Sequence, residues 1–119
     1  MNKFKKYFAT NLESLNFGMN QLTGTIAMSH DAVDGSNLDA LQTPNVTYDK
    51  LWSNLDFVQF FPSIQTLNLA QNKFNGQIPG ILGGLTDLQG LYLLDNQLFG
   101  IPRKIGSLAK LTNVVLLNN

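Results

Sequence analysis

The sequence predicts an α/β repeat fold: a solenoid whose turns each give one short strand to a common face and loops or short helical turns to the opposite face. Three observations carry this. Taking Ile64, Leu88 and Leu111 as starts, an apolar residue follows at +3 (Leu67, Leu91, Val114) and at +5 (Leu69, Leu93, Leu116). An asparagine follows at +8 (Asn72, Asn96, Asn119). The starts are spaced by about 24 residues, a period filled by one strand and a return segment.

The strand follows from the alternation. Residues at +3 and +5 flank one outward residue, as in Leu67-Asn68-Leu69, which is the period-two pattern of a half-buried strand. Each leucine buried this way contributes roughly 1.5–3 kcal/mol. The +8 asparagine sits where the chain leaves the strand. Its amide both donates and accepts, so it can satisfy backbone groups in its own and the next turn. This predicts a structural ladder of Asn20, Asn72, Asn96 and Asn119, broken in the middle of the chain. Beyond it come Gly76 and Gly100, which supply backbone freedom at a second bend, and Pro79 and Pro102, which fix φ at the start of the return segment. Leu98-Phe99-Gly100-Ile101 lacks the residue that separates Gly76 from Ile78, which shortens that turn by one.

In chain order, residues 1–11 read as the tail of a preceding turn, with a small basic-aromatic patch (Lys3, Phe4, Lys5, Lys6, Tyr7, Phe8) as the functional alternative. A full repeat runs over 12–35: Leu12, Leu15, Phe17, Asn20, Leu22, Gly24 and Ile26 fill the template, and Ala27 replaces the proline. A degenerate repeat with an insertion occupies 36–63. Its best register starts at Leu38, with Leu41 at +3, Thr43 at +5 and Val46 at +8, so the asparagine is lost. The stretch 28–37 is polar and turn-forming and reads as an inserted loop. Before Ile64, Phe61, Val58 and Leu55 recover the frame of the return side. Leu51, Leu55 and Val58 also fit one helical face, which predicts a short helix near 49–60 ended by Pro62. Regular repeats cover 64–87 and 88–110, and an incomplete one covers 111–119, about five turns in a single domain. Because the last turn stops at its asparagine, the chain reads as a fragment or as one module of a longer receptor.

The run Leu-x-x-Leu-x-Leu followed by Asn-x-Leu-x-Gly-x-Ile-Pro resembles the plant-specific class of leucine-rich repeats, strongly over 12–26 and 64–119 and weakly over 38–63. That class occurs in the ectodomains of plant receptor-like kinases and receptor-like proteins and in polygalacturonase inhibitors. The resemblance implies a right-handed leucine-rich-repeat solenoid with a parallel sheet on the concave face, ligand recognition there, and an extracellular or membrane-associated setting. The sequence departs from the complete ectodomains of that class: it has no signal peptide, no paired-cysteine caps, no membrane-spanning run and no kinase.

Composition narrows the chemistry. Charged residues make up 13% of the chain and balance to a formal net charge of +0, which leaves no electrostatic footprint for nucleic acid or an anionic membrane. With no cysteine there is no disulfide framework, thiolate metal site or cysteine nucleophile. The single histidine, His30, stands in Ser29-His30-Asp31, sequence neighbours in a turn-like insert, which is not how a triad is assembled. Asp31, Asp34 and Asp39 near Gly35 fail the EF-hand spacing. No enzyme, metal or cofactor is expected. Asn45-Val46-Thr47 is an N-glycosylation sequon, expected on the irregular turn.

The predicted function is therefore non-catalytic protein or peptide binding by the outward strand positions. In register these are Asn16 and Gly18; Thr66, Asn68 and Ala70; Gly90, Tyr92 and Leu94; Asn113, Val115 and Leu117. Tyr92, Leu94, Val115 and Leu117 make an apolar stripe beyond what a solvated face needs, with Tyr92 as its expected anchor. Two alternatives stand beside this reading: a structural or remnant solenoid that self-associates edge to edge, and, from the resemblance alone, an inhibitor that docks onto a carbohydrate-degrading enzyme.

Overall fold

The computed structural model describes residues 14–16, 19, 23–24, 42–45, 49–52 and 54–119. Among the described residues nine short strands alternate between two positions in the turn. Strands β1 (Ser14–Asn16), β3 (Thr43–Asn45), β5 (Thr66–Asn68), β7 (Gly90–Tyr92) and β9 (Asn113–Val115) form one parallel five-stranded sheet in the order β1-β3-β5-β7-β9. Beside it, β2 (Thr23–Gly24) pairs with β4 (Lys50–Leu51), and β6 (Asn75–Gln77) with β8 (Gln97–Phe99), as two small parallel side sheets. The molecule is a leucine-rich-repeat solenoid with the large sheet on its concave face.

The return segments are 3-10 helices: η1 (Asp56–Phe60), η2 (Gly80–Gly84) and η3 (Arg103–Ser107). Their sequences dictate this. Apolar residues recur every third position, the period of a 3-10 helix, in Leu55-Val58-Phe61-Ile64, Leu82-Leu85-Leu88 and Ile105-Leu108-Leu111. Each of these residues after the first in its run donates its N–H to the carbonyl three residues back, as in Val58 to Leu55 at 3.1 Å and Leu88 to Leu85 at 3.0 Å. One face is thereby turned inward, buried throughout except at half-buried Leu111. Pro79 and Pro102 sit at the N-caps of η2 and η3 with φ of −75° and −64°, as the ring fixes, and with ψ of 147° and 137° that makes them extended. Gly76 and Gly100 at the second bend have φ of 87° and 68°, the left-handed region that a Cβ disfavours.

Leucines at +3 and +5 of the regular turns, together with Phe74, Leu82 and Leu88, are buried in one continuous core. Phe74 packs against Phe57 of the preceding turn with ring centroids 5.8 Å apart, and Phe57 meets Phe61 edge-on at 6.2 Å.

Three expectations about the middle of the chain are corrected. The pairing Ser14↔Thr43, Leu15↔Pro44, Asn16↔Asn45 puts Pro44, not Leu41, at +3. The middle turn therefore starts at 41 rather than at Leu38, and the starts become 12, 41, 64, 88 and 111. The extra residues belong to the first turn, not to a 36–63 repeat. Buried Pro44 fills an inward slot that leucine or valine fills elsewhere, so an apolar template misses it. Secondly, the +8 position of this turn holds buried Asp49, not Val46. Thirdly, the helix expected over 49–60 is confined to the 3-10 segment Asp56–Phe60. Residues 49–51 are taken by the ladder position and by β4, and Asn54 Oδ1 accepts the Asp56 N–H at 3.1 Å just ahead of η1. The tail 1–11, Gly18, Asn20 and the His30 insert lie outside the described residues.

Candidate functional site

The concave sheet is positioned by a repeated set of backbone bonds. In every described junction a +1 carbonyl accepts two N–H groups from the following turn: Gln42 O from Gln65 and Thr66, Gln65 O from Gln89 and Gly90, Gln89 O from Thr112 and Asn113. At the strand exits Leu69 donates to Tyr92 O at 2.9 Å and Leu93 to Val115 O at 2.9 Å. The ladder asparagines then lock each turn to its neighbour. Asn96 Oδ1 accepts the Phe74 N–H at 3.0 Å, while its Nδ2 donates to Leu69 O at 2.9 Å, Leu93 O at 3.0 Å and Leu94 O at 3.3 Å. Asn72 accepts from Leu51 N–H and donates to Leu69 O and Ala70 O, and Asn119 repeats the scheme with Leu98 N–H and the carbonyls of Leu93, Leu116 and Leu117. These asparagines are structural, and they bridge their own turn to the preceding one rather than to the next. Each satisfies backbone groups that would otherwise be buried unpaired.

With the turns so fixed, the outward residues form rows across the sheet. The +2 row runs from Ser14 through Thr66 to Asn113, with Gly90 in the β7 position. The +4 row is Asn16, Asn45, Asn68, Tyr92 and Val115. The +6 row includes Ala70, Leu94 and Leu117. The sequence-predicted residues are thus brought together on one face. Asn16, Asn113 and Leu117 are exposed, and Thr66, Asn68, Ala70, Tyr92, Leu94 and Val115 half-buried. Asn68 Oδ1 turns back to accept the Ala70 N–H at 3.3 Å. Asn45 lies in the middle of the sheet between Asn16 and Asn68, within the irregular turn but at an outward strand position, because the register starts at 41.

Two features of this face escaped the sequence reading. Tyr92 does not stand upright: a Cβ built on Gly90 would lie 2.8 Å from Tyr92 Cε2, so the ring lies back over the Gly90 backbone. Glycine there is a floor for the tyrosine. The second feature is a row at +7, where Met19, Gln71, Asp95 and Asn118 all have positive φ of 56–65°. Three of them are linked side to side: Gln71 Nε2 donates to Asp95 Oδ2 at 3.2 Å and Asn118 Nδ2 to Asp95 Oδ1 at 2.8 Å. The residue preceding each ladder asparagine was a readable column (Gln71, Asp95, Asn118), but its types differ and no apolar template scores it. Among the described residues no group of three histidine, cysteine, aspartate or glutamate side chains is placed to hold a metal, and no helix is long and apolar enough to cross a membrane.

Comparison with known proteins agrees with this architecture. The family model described as Leucine Rich Repeat matches residues 63–85. The fold is similar to a chain of the BIR3–SERK2 complex from Arabidopsis thaliana, with a TM-score of 0.78 and 28% identity, over 90% of this chain and 56% of that one. It is similar also to the BIR2 ectodomain from Arabidopsis thaliana, with a TM-score of 0.71 and 27% identity, over 82% of this chain and 50% of that one. The chain thus spans about half the length of the structures it matches. No curated protein matches it by sequence.

Proposed function

We propose that this chain, a plant-type leucine-rich-repeat solenoid similar to receptor ectodomains, is a non-catalytic module that binds a protein or peptide partner on its concave face. The observation that carries the reading is the apolar stripe of Tyr92, Leu94, Val115 and Leu117 on adjacent strands of an otherwise polar sheet. Parallel strands lie about 4.8 Å apart, so the four side chains form one compact patch. Leu117 is 68% exposed, although the backbone around it is ordered by the Asp95 N–H to Leu117 O bond of 3.0 Å. Rigid apolar groups on a scaffold are what a binding anchor requires. One of the similar structures is itself a complex between two proteins, which supports a protein as the partner class.

The reading is tested by panning a linear-peptide display library on the purified chain and titrating the recovered peptides against wild type and Tyr92→Ala. Binding that weakens at least tenfold on Tyr92→Ala supports it. Recovered peptides that bind both proteins equally sink it.

A second reading is favoured by Val114. It is an inward residue of β9 that is 44% exposed, whereas its counterparts Leu67 and Leu91 are at 0%. In that reading two chains join edge to edge through β9. Sedimentation velocity decides it: a concentration-dependent dimer lost on Val114→Lys supports edge pairing, and a monomer at all concentrations rejects it.

A further inference from the structure

We infer that the segment bound on the concave face presents a cationic side chain, lysine or arginine, beside an apolar one, and that the cation seats against Asp95. The inference rests on the concave binding face proposed above and names the chemistry of its partner.

Asp95 is a charged group at the rim of an uncharged sheet. The outward strand positions of all five strands carry no ionisable side chain other than the Tyr92 phenol. Asp95 lies where β7 leaves the sheet, directly after Leu94, and its backbone N–H is bonded to Leu117 O, so the apolar stripe ends at this carboxylate. Both of its oxygens are held in place. Gln71 takes one and Asn118 the other, and both donors are neutral carboxamides that fix the geometry without cancelling the charge. No ion pair to Asp95 exists among the described residues, where the salt bridge Lys110–Asp87 of 2.8 Å lies elsewhere between two well-exposed side chains. Acceptors also outnumber donors at this point, because Gln71 Oε1 is enclosed and accepts from no donor among the described residues.

A fixed, half-buried negative charge at the end of an apolar patch is complementary to an amphipathic segment. A cation there meets a carboxylate that is already oriented and less screened than one on an open surface, while an acidic residue is repelled. The neighbouring Tyr92 ring and the Leu94 and Leu117 side chains accept the apolar part of the same segment, including the methylene stem of a lysine.

The test uses the peptides recovered by display on the full chain. The recovered sequences are expected to be enriched in lysine or arginine within one or two positions of an aromatic or aliphatic residue. Asp95→Asn should weaken them about five- to tenfold at low ionic strength and remove most of their salt dependence. Replacing the peptide lysine by norleucine should produce the same loss on wild type and no further loss on Asp95→Asn. Asn is tolerated at this backbone, since Asn118 already holds φ of 58° in the same row, and an unchanged thermal midpoint checks that the variant folds. Peptides that are lost on Tyr92→Ala yet lack basic residues, or ignore Asp95→Asn, overturn the inference and leave the concave binding face standing. Peptides indifferent to both variants, or no recovered peptide at all, overturn both.

Discussion

The turn that starts at 41 and the turn that starts at 64 solve the same packing problem with different residues. The second has leucine at +3 and +5 and asparagine at +8. The first has Pro44 at +3 and Asp49 at +8, both buried. Asn72 closes its turn from both sides, accepting from Leu51 and donating to Leu69 O and Ala70 O. An ionised aspartate in the equivalent place only accepts. Pro44 has no N–H, and among the described residues β3 and β5 show the one pair Asn45↔Asn68, against three residue pairs between β5 and β7. What the two turns share is the return side: the every-third apolar residues of η1 and η2 and the ring of Phe74 lying on Phe57. The lesson is that the return segments and the core hold the solenoid in register where the sheet and the ladder are weakened.

That contrast can be broken at its joint. Phe74→Ala removes a fully buried ring between the two turns and should cost about 3–5 kcal/mol in urea unfolding, the largest effect expected here. A loss under 1 kcal/mol would mean that the turns are not coupled through this contact. Asn96→Ala removes one acceptor and three donor contacts in the regular region and should cost about 2–3 kcal/mol. Its effect should exceed that of Asp49→Ala in the same assay. Equal losses would put the two rungs on the same footing. In the opposite direction, Asp49→Asn restores a donor at the weak rung and should stabilise by about 1 kcal/mol, read as a rise in thermal midpoint. A fall would show that the carboxylate is required there. Smallest of all, Gly90→Ala should leave folding nearly unchanged and yet displace the Tyr92 ring, which near-ultraviolet circular dichroism detects.

The same two turns set the limits of what the sequence discloses. The regular turns could be read residue by residue. Their leucines and asparagines repeat at fixed offsets and the Ile-Pro step follows within one residue, and each is demanded by burial, by backbone pairing or by a fixed φ. The concave residues of β5, β7 and β9 followed from that register without any structure. The turn at 41 could not be read so, because a proline ring fills a leucine slot and a carboxylate fills a carboxamide slot. Both substitutions are acceptable in three dimensions and invisible to a period count. The three-residue slip moved Asn45 off the sheet and hid Asp49. The Gln71–Asp95–Asn118 row was missed for another reason: its common property is backbone conformation, and chemically unlike side chains can share a positive φ when neighbouring turns hold them.

The contrast extends to function, since β1, β3 and β5 present Asn16, Asn45 and Asn68 and the last two turns present Tyr92, Leu94, Val115 and Leu117. The most direct measurement compares the affinity of display-selected peptides for Tyr92→Ala/Leu117→Ala with that for Ile81→Ala, a variant at a 41% exposed residue on the convex segment η2. The concave double variant should lose about 2 kcal/mol or more of binding, roughly thirtyfold, while the convex variant binds as wild type does. Loss on Ile81→Ala with full binding by the concave variant would contradict the account.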